Sequence, residues 1–252
     1  MAKQGGRKER VKDWGDCTNT KDYARKAWHF LWYEDTVASW AVNIIVAFVL
    51  IKFLFYPGMG LVLGTKFPVV AVVSSSMEHH PRSFDEWWVA STRGDGTNED
   101  FYLRYNITKL DFLNYPFRNG FNKGDIMVLR GVKTATLAKG TVIVYWSGKP
   151  YPIIHRYIGN NDEKGMSYLM SKGDNNPRML TGLGSPDLDE RHIPQSNILG
   201  QAFLRIPYLG WVKIFAVNLY TCTAYGSGPQ QCYSTCLVDG RQYEQNLERQ
   251  CR

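Results

Sequence analysis

The sequence predicts a mainly β ectodomain carried behind a single N-terminal membrane-spanning helix. Two observations predict it. A run of 21 residues, Thr36 to Tyr56, holds one charge, Lys52, and a spanning helix needs about 20 apolar residues. Beyond it, short β-rich runs return at close intervals with Gly, Asn, Asp and Pro between them, and no long helical period is present.

Apolar residues make up 44% of the 252, enough for a packed core rather than disorder. The net charge is +7, but no basic helix, zinc-finger spacing or RNA-binding signature accompanies it, which argues against nucleic-acid binding. Residues 1–35 are expected on the cytoplasmic side. They carry eight Lys/Arg, whereas the twenty residues after Tyr56 carry only Lys66, and the positive-inside rule follows that bias. Residues 21–35 can form a helix with a Trp/Phe/Leu-rich side at the inner surface. Residues 36–56 are the anchor, uncleaved because the run exceeds an ordinary signal h-region, and Pro57 and Gly58 are expected to end its helix. The location implied is the cell membrane, single-pass, with everything after residue 57 outside.

Residues 57–218 are the ectodomain, opening on the apolar run Phe67–Val73 that ends at Ser74-Ser75-Ser76. Residues 79–122 are rich in aromatic and polar residues without a sustained period, and read as an insertion. Strands are then predicted at Asp125–Arg130, Thr141–Trp146, Pro152–Ile158, Ser167–Ser171, Ile198–Ile206 and Gly210–Val217. Residues 219–252 form a cysteine-rich extension. Cys222, Cys232, Cys236 and Cys251 fall on the oxidising side and suggest two disulfides among three pairings. Asn106-Ile107-Thr108 is an N-glycosylation sequon on the same side.

Ser76 stands directly after an apolar strand and close to the membrane exit, where a rigid element would hold a nucleophile. A serine-rich turn explains the same residues without catalysis. His155 lies inside the apolar strand Pro152–Ile158, as a general base requires, although a strand histidine is often a hydrogen-bonded core residue. A metal site from His79, His80 and His155 lacks any supporting spacing, and no cofactor is called for. Asp174, in a turn-forming Asp-Asn-Asn-Pro, and Asp187 and Asp189 are each able to orient a histidine. Spacing does not choose among them.

The order of motifs resembles the archaeal and endoplasmic-reticulum branch of signal peptidase I. The matching pieces follow a single anchor: VVSSSME (72–78), KGDIMVL (123–129), PIIHRYI (152–158), KGDNNP (172–177) and ILGQ…IPYLGWVKI (198–214). The resemblance implies a serine endopeptidase that removes signal peptides from secretory preproteins at the translocation channel, working against membrane lipid and open to accessory subunits. It implies Ser76 as nucleophile, Ser74 as an oxyanion donor, His155 in place of the bacterial lysine base, and Asp187 with Asp174 as the acids. Two departures stand out. Ser75 replaces the commoner Gly, and the loop from Asn176 to Pro186 is long, so that Asp189 competes with Asp187. Two rival classes are a non-catalytic, membrane-tethered binding or adhesion module, and a self-cleaving Ser-Lys protease, which needs a lysine where His155 stands.

Overall fold

The structure is a computed structural model that describes residues 17–92, 96–148, 151–182, 188–212 and 214–215. The chain divides into two compact units, Met1–Met59 and Gly60–Arg252.

In the first unit, helix α1 (Thr20–Tyr33) begins at Asn19, whose side chain accepts from the Asp22 N–H. Trp28 and Trp32 stand exposed on it. Helix α2 (Val37–Leu50) begins at Thr36, which caps the Ser39 N–H. Ser39 Oγ and Asn43 Nδ2 donate to the Phe30 and Leu31 carbonyls at 2.6 and 2.9 Å, so the last turn of α1 is tied to the start of α2. A π-helical turn (Ile51–Phe55) then leads into α3 (Tyr56–Leu63). The helical run Val37–Leu63, 27 residues, is long and apolar enough to cross a membrane. Pro57 and Gly58 therefore do not end the helix as the sequence suggested. In the wide turn before them the Tyr56 N–H reaches back to Ile51 O, and such a π-turn relaxes the ladder where proline lacks a donor.

The second unit is built on a six-stranded sheet in the order β1-β2-β6-β3-β4-β5. The strands are β1 (Val69–Ala71), β2 (Ile126–Arg130), β3 (Val142–Tyr145), β4 (Ile153–Glu163), β5 (Met166–Lys172) and β6 (Ile198–Ile206). Every pairing is antiparallel. Alternation along β3 feeds two cores. Val142 and Val144 join Val72, Met77, Phe121, Met127 and Leu129 on one face, while Ile143 and Tyr145 join Ile153, Tyr157, Leu169 and Leu188 on the other. Burial on both faces is why this strand reads as a continuous apolar run.

Two sequence expectations change here. Residues 210–212 and 214–215 are helical rather than a strand. Trp211, Ile214 and Phe215 stand at i, i+3 and i+4, the spacing of one helical face, and a short apolar run such as this one does not by itself separate helix from strand. The 79–122 insertion is not irregular: it holds α4 (Phe84–Trp88), α5 (Asn98–Leu103) and α6 (Lys109–Leu113). Each starts with a capping box, Ser83/Glu86, Thr97/Asp100 and Thr108/Asp111. Hydrogen bonds from these serine and threonine residues lower the pKa of each of the three carboxyls. The helices bury Trp87, Trp88, Phe101, Tyr102, Ile107 and Phe112 in an aromatic core that packs against Ile158 of β4 and Met179. The two ends of the insertion meet, with Phe121 N–H donating to Met77 O at 3.0 Å and Lys123 N–H to Glu78 Oε1 at 2.8 Å.

Candidate active site

Alternation along β4 places neighbouring residues on opposite faces, His155 with Ile153 and Tyr157, Arg156 with Ile154 and Ile158. Both polar side chains are buried, so each must find partners.

His155 Nε2 lies 2.9 Å from Ser76 Oγ, across 79 residues of sequence. Its other nitrogen, Nδ1, bonds to Glu190 Oε1. Glu190 is fully buried. Its Oε1 also accepts from Tyr145 Oη at 3.1 Å and Ser171 Oγ at 3.0 Å, and its Oε2 accepts from the Leu180 N–H at 2.6 Å. Burial and the Glu190 charge push the Tyr145 hydroxyl well above its ordinary pKa, so Tyr145 stays a donor. With one nitrogen of the imidazole engaged by a carboxylate, the other is free to exchange a proton with Ser76.

Ser76 follows β1 by a short turn. Val72 still pairs with the 124–125 turn, through Val72 N–H to Asp125 O and Gly124 N–H to Val72 O, both 2.9 Å. Val73 and Ser74 are exposed and Ser76 half-buried. Ser74 Oγ lies 3.1 Å from Ser76 Oγ, beside the nucleophile, where an oxyanion donor is needed. Ser75 is not among the described non-glycine residues with positive φ, which are Asn106, Phe117, Lys164 and Tyr208, so serine is conformationally acceptable where the wider pattern has glycine.

The 173–176 turn grips the serine loop from behind. Asn175 N–H donates to Ser76 O at 2.7 Å, and Asn175 Nδ2 to Ser75 O at 3.0 Å. Gly173 is needed here for close approach: a Cβ would meet His155 Nε2 at 2.7 Å and Ser76 O at 2.9 Å.

Asp174 does not touch His155. Its carboxylate takes Arg156 Nε at 2.9 Å and Nη2 at 2.7 Å, the Tyr102 hydroxyl at 2.8 Å and His79 Nε2 at 3.1 Å. Burial alone would raise its pKa, but the Arg156 charge and the hydrogen bonds from His79 and Arg156 hold it far below the usual carboxylate range. Lys172 is also fully buried. Its Nζ donates to the Gly173 and Asp174 carbonyls at 3.1 and 3.3 Å, and burial lowers its pKa to about 8.

The other sequence candidates lie apart. Asp189 binds His192 Nδ1 at 2.8 Å and the Arg191 N–H at 2.9 Å. His80 is exposed. Asn106 is exposed at the end of α5. Asp187, Cys222, Cys232, Cys236 and Cys251 lie outside the described residues. Sequence reasoning passed over Glu190, Arg156, Lys172 and Tyr102.

No family model matches the chain, but curated proteins do. The signal peptidase complex catalytic subunit SEC11 of Komagataella phaffii is 29% identical over 171 residues, covering 64% of this chain and 74% of that protein. SEC11 of Scheffersomyces stipitis is 30% identical over 122 residues, covering 47% of this chain and 70% of that protein. The chain belongs to the endoplasmic-reticulum-type signal peptidase I family. The subunit from Neurospora crassa is 34% identical over 97 residues, with 55% of its length covered.

Proposed function

We propose that this chain is a membrane-bound serine endopeptidase that removes signal peptides from secretory preproteins, with Ser76 as nucleophile, His155 as general base and Glu190 as the acid that orients it. The observation that carries this is the continuous Ser76–His155–Glu190 chain of hydrogen bonds, for which a purely adhesive tether has no use. His155 Nε2 takes the Ser76 proton as Oγ attacks the scissile carbonyl carbon. The oxyanion is held by the Ser74 hydroxyl and the Ser76 N–H. His155 then returns the proton to the leaving amine, and water releases the acyl group by the same route in reverse. Glu190 keeps the Nδ1 proton in place and stabilises the imidazolium. Asp174 acts from behind, through Arg156 and the 173–176 turn.

The long apolar helix supports confinement to a membrane, and the basic N-terminal flank supports a cytoplasmic N-terminus. The relatives are named as catalytic subunits of a complex, which supports accessory subunits here. Membranes carrying the wild type should cut a model preprotein at its signal junction, as read by the new N-terminus of the product. Ser76→Ala, equally expressed, should leave it uncut. Cutting by Ser76→Ala at the wild-type rate would remove Ser76 from the chemistry.

The side of the membrane has its own test. Asn106 is exposed, and Thr108 of the sequon caps α6 at the surface. If the second unit faces a glycosylating compartment, the protein should run faster on a gel after N-glycanase digestion. Asn106→Gln should abolish that shift. A wild type indifferent to the enzyme would argue against the proposed orientation.

A further inference from the structure

The insertion does more than cover β4. Behind the reacting pair lie three charged side chains with no exposed surface, Arg156, Lys172 and Asp174. Arg156 directly follows His155 in β4 and sits opposite Lys172 of β5 in the register. Asp174 heads the turn that holds the Ser75 and Ser76 carbonyls.

The insertion meets all three. Its Tyr102 hydroxyl donates to Asp174 Oδ1 at 2.8 Å. His79, at its first residue, bonds Asp174 Oδ2 at 3.1 Å and stacks on Trp87 of α4 with ring centroids 3.7 Å apart. Pro116 and Phe117, at its far end, offer carbonyls to Arg156 Nη1 and Nη2, each at 3.0 Å. The Phe112 ring lies 4.5 Å from the Arg156 guanidinium carbon. The rings of Phe101 and Tyr102 lie 4.8 and 5.4 Å from the Lys172 ammonium. A decorative insertion would bury apolar surface. This one brings two hydrogen-bonding side chains, two carbonyls and three π faces to charges that water does not reach, where an unmet partner is costly.

We propose that the 79–122 insertion is a positioning element for catalysis, with Tyr102 and His79 as its positioning residues. They fix the Asp174 carboxylate, and through it Arg156 and the 173–176 turn, so that Ser76 and His155 are held at reacting distance. The inference rests on the peptidase reading above. Catalysis depends steeply on such placement, since a displacement of about 1 Å at the reacting atoms can cost 10²-fold. Neither residue touches substrate.

The test is preprotein cleavage by the full chain in membranes, with kcat and KM measured separately and thermal midpoints recorded for each variant. Tyr102→Phe removes one oxygen and keeps the ring against Trp88, Phe101 and Lys172. Its kcat should fall about ten- to a hundredfold with KM within about twofold of wild type. His79→Gln, which keeps a donor for Asp174, should retain more activity than His79→Leu. Phe84→Leu is the control: it loosens the same aromatic core without touching a charge, and should lower the midpoint while leaving kcat alone. The proposal is overturned if Tyr102→Phe keeps the wild-type kcat, or if Phe84→Leu loses kcat in proportion to its lost stability. Failure of both Tyr102→Phe and His79→Gln to fold would also overturn it, because the contacts would then serve stability only. If the wild type cuts nothing, the peptidase reading falls and takes this inference with it. If the wild type cuts and Tyr102→Phe matches it, only this inference falls.

Discussion

Glu190→Gln should lower turnover by about four orders of magnitude, the scale of loss when a triad acid becomes its amide. The carboxylate is an acceptor at both oxygens, and four donors converge on it: His155 Nδ1, Tyr145 Oη, Ser171 Oγ and the Leu180 N–H. An amide has one acceptor and one donor end. If its NH₂ faces His155, the imidazole must accept at Nδ1 and carry its proton on Nε2, so it cannot take one from Ser76. If its NH₂ faces Leu180, two N–H groups oppose each other in a buried site, a desolvation cost of about 1–3 kcal/mol. The second arrangement keeps the tautomer but loses the negative charge that stabilises the imidazolium. Steady-state cleavage, with a thermal midpoint to show that the variant is folded, checks this. An activity within tenfold of wild type would mean that Glu190 is not the orienting acid.

Asp174→Asn should be the most destabilising single change near the site. Arg156 and Lys172 are fully buried cations, and Asp174 is the only carboxylate in contact with Arg156 among the described residues. Removing one partner of a buried pair leaves an uncompensated charge, and such losses run to about 3–5 kcal/mol. The sign of the pH dependence follows from the same carboxyl. Its pKa is depressed on folding, so its contribution is complete above the unfolded value of about 3.9 and is lost as the pH falls below that. Wild type should therefore lose stability on acidification below about pH 4, and Asp174→Asn should lack that component. Urea unfolding at pH 7 and at pH 3 measures both. Equal stability of wild type and variant at pH 7 would show that the buried network is energetically neutral.

The sheet and the span were legible because their signals are local. One charge in 21 residues marks a membrane helix, and the strands from 125 to 206 carry β-rich runs between turn residues. Ser76 and His155 were legible only through the order of motifs, since nothing in spacing brings together two residues 79 apart. Glu190 was hidden directly behind two candidate aspartates, Asp187 and Asp189. A period-two reading would have found it: Thr181 pairs with Asp189, so this stretch is extended and Leu188 and Glu190 face inward together, both buried. The insertion's helices are five or six residues long, too short for periodicity, yet the Ser-x-x-Glu and Thr-x-x-Asp patterns at their starts were present in the sequence. The partners of the Arg156 and Asp174 side chains come from segments 16 to 95 residues away, and no local pattern encodes such pairings.

If Ser76, His155 and Glu190 act as one unit, their losses should be grossly non-additive. The direct measurement is preprotein cleavage by His155→Ala, by Glu190→Gln and by the two combined, alongside Ser76→Ala. One proton relay predicts that the combined variant is about as slow as His155→Ala alone, and no faster than Ser76→Ala. Losses that multiply, so that the combined variant falls below His155→Ala by the full Glu190→Gln factor, would contradict it, because Glu190 would then be acting on something other than His155.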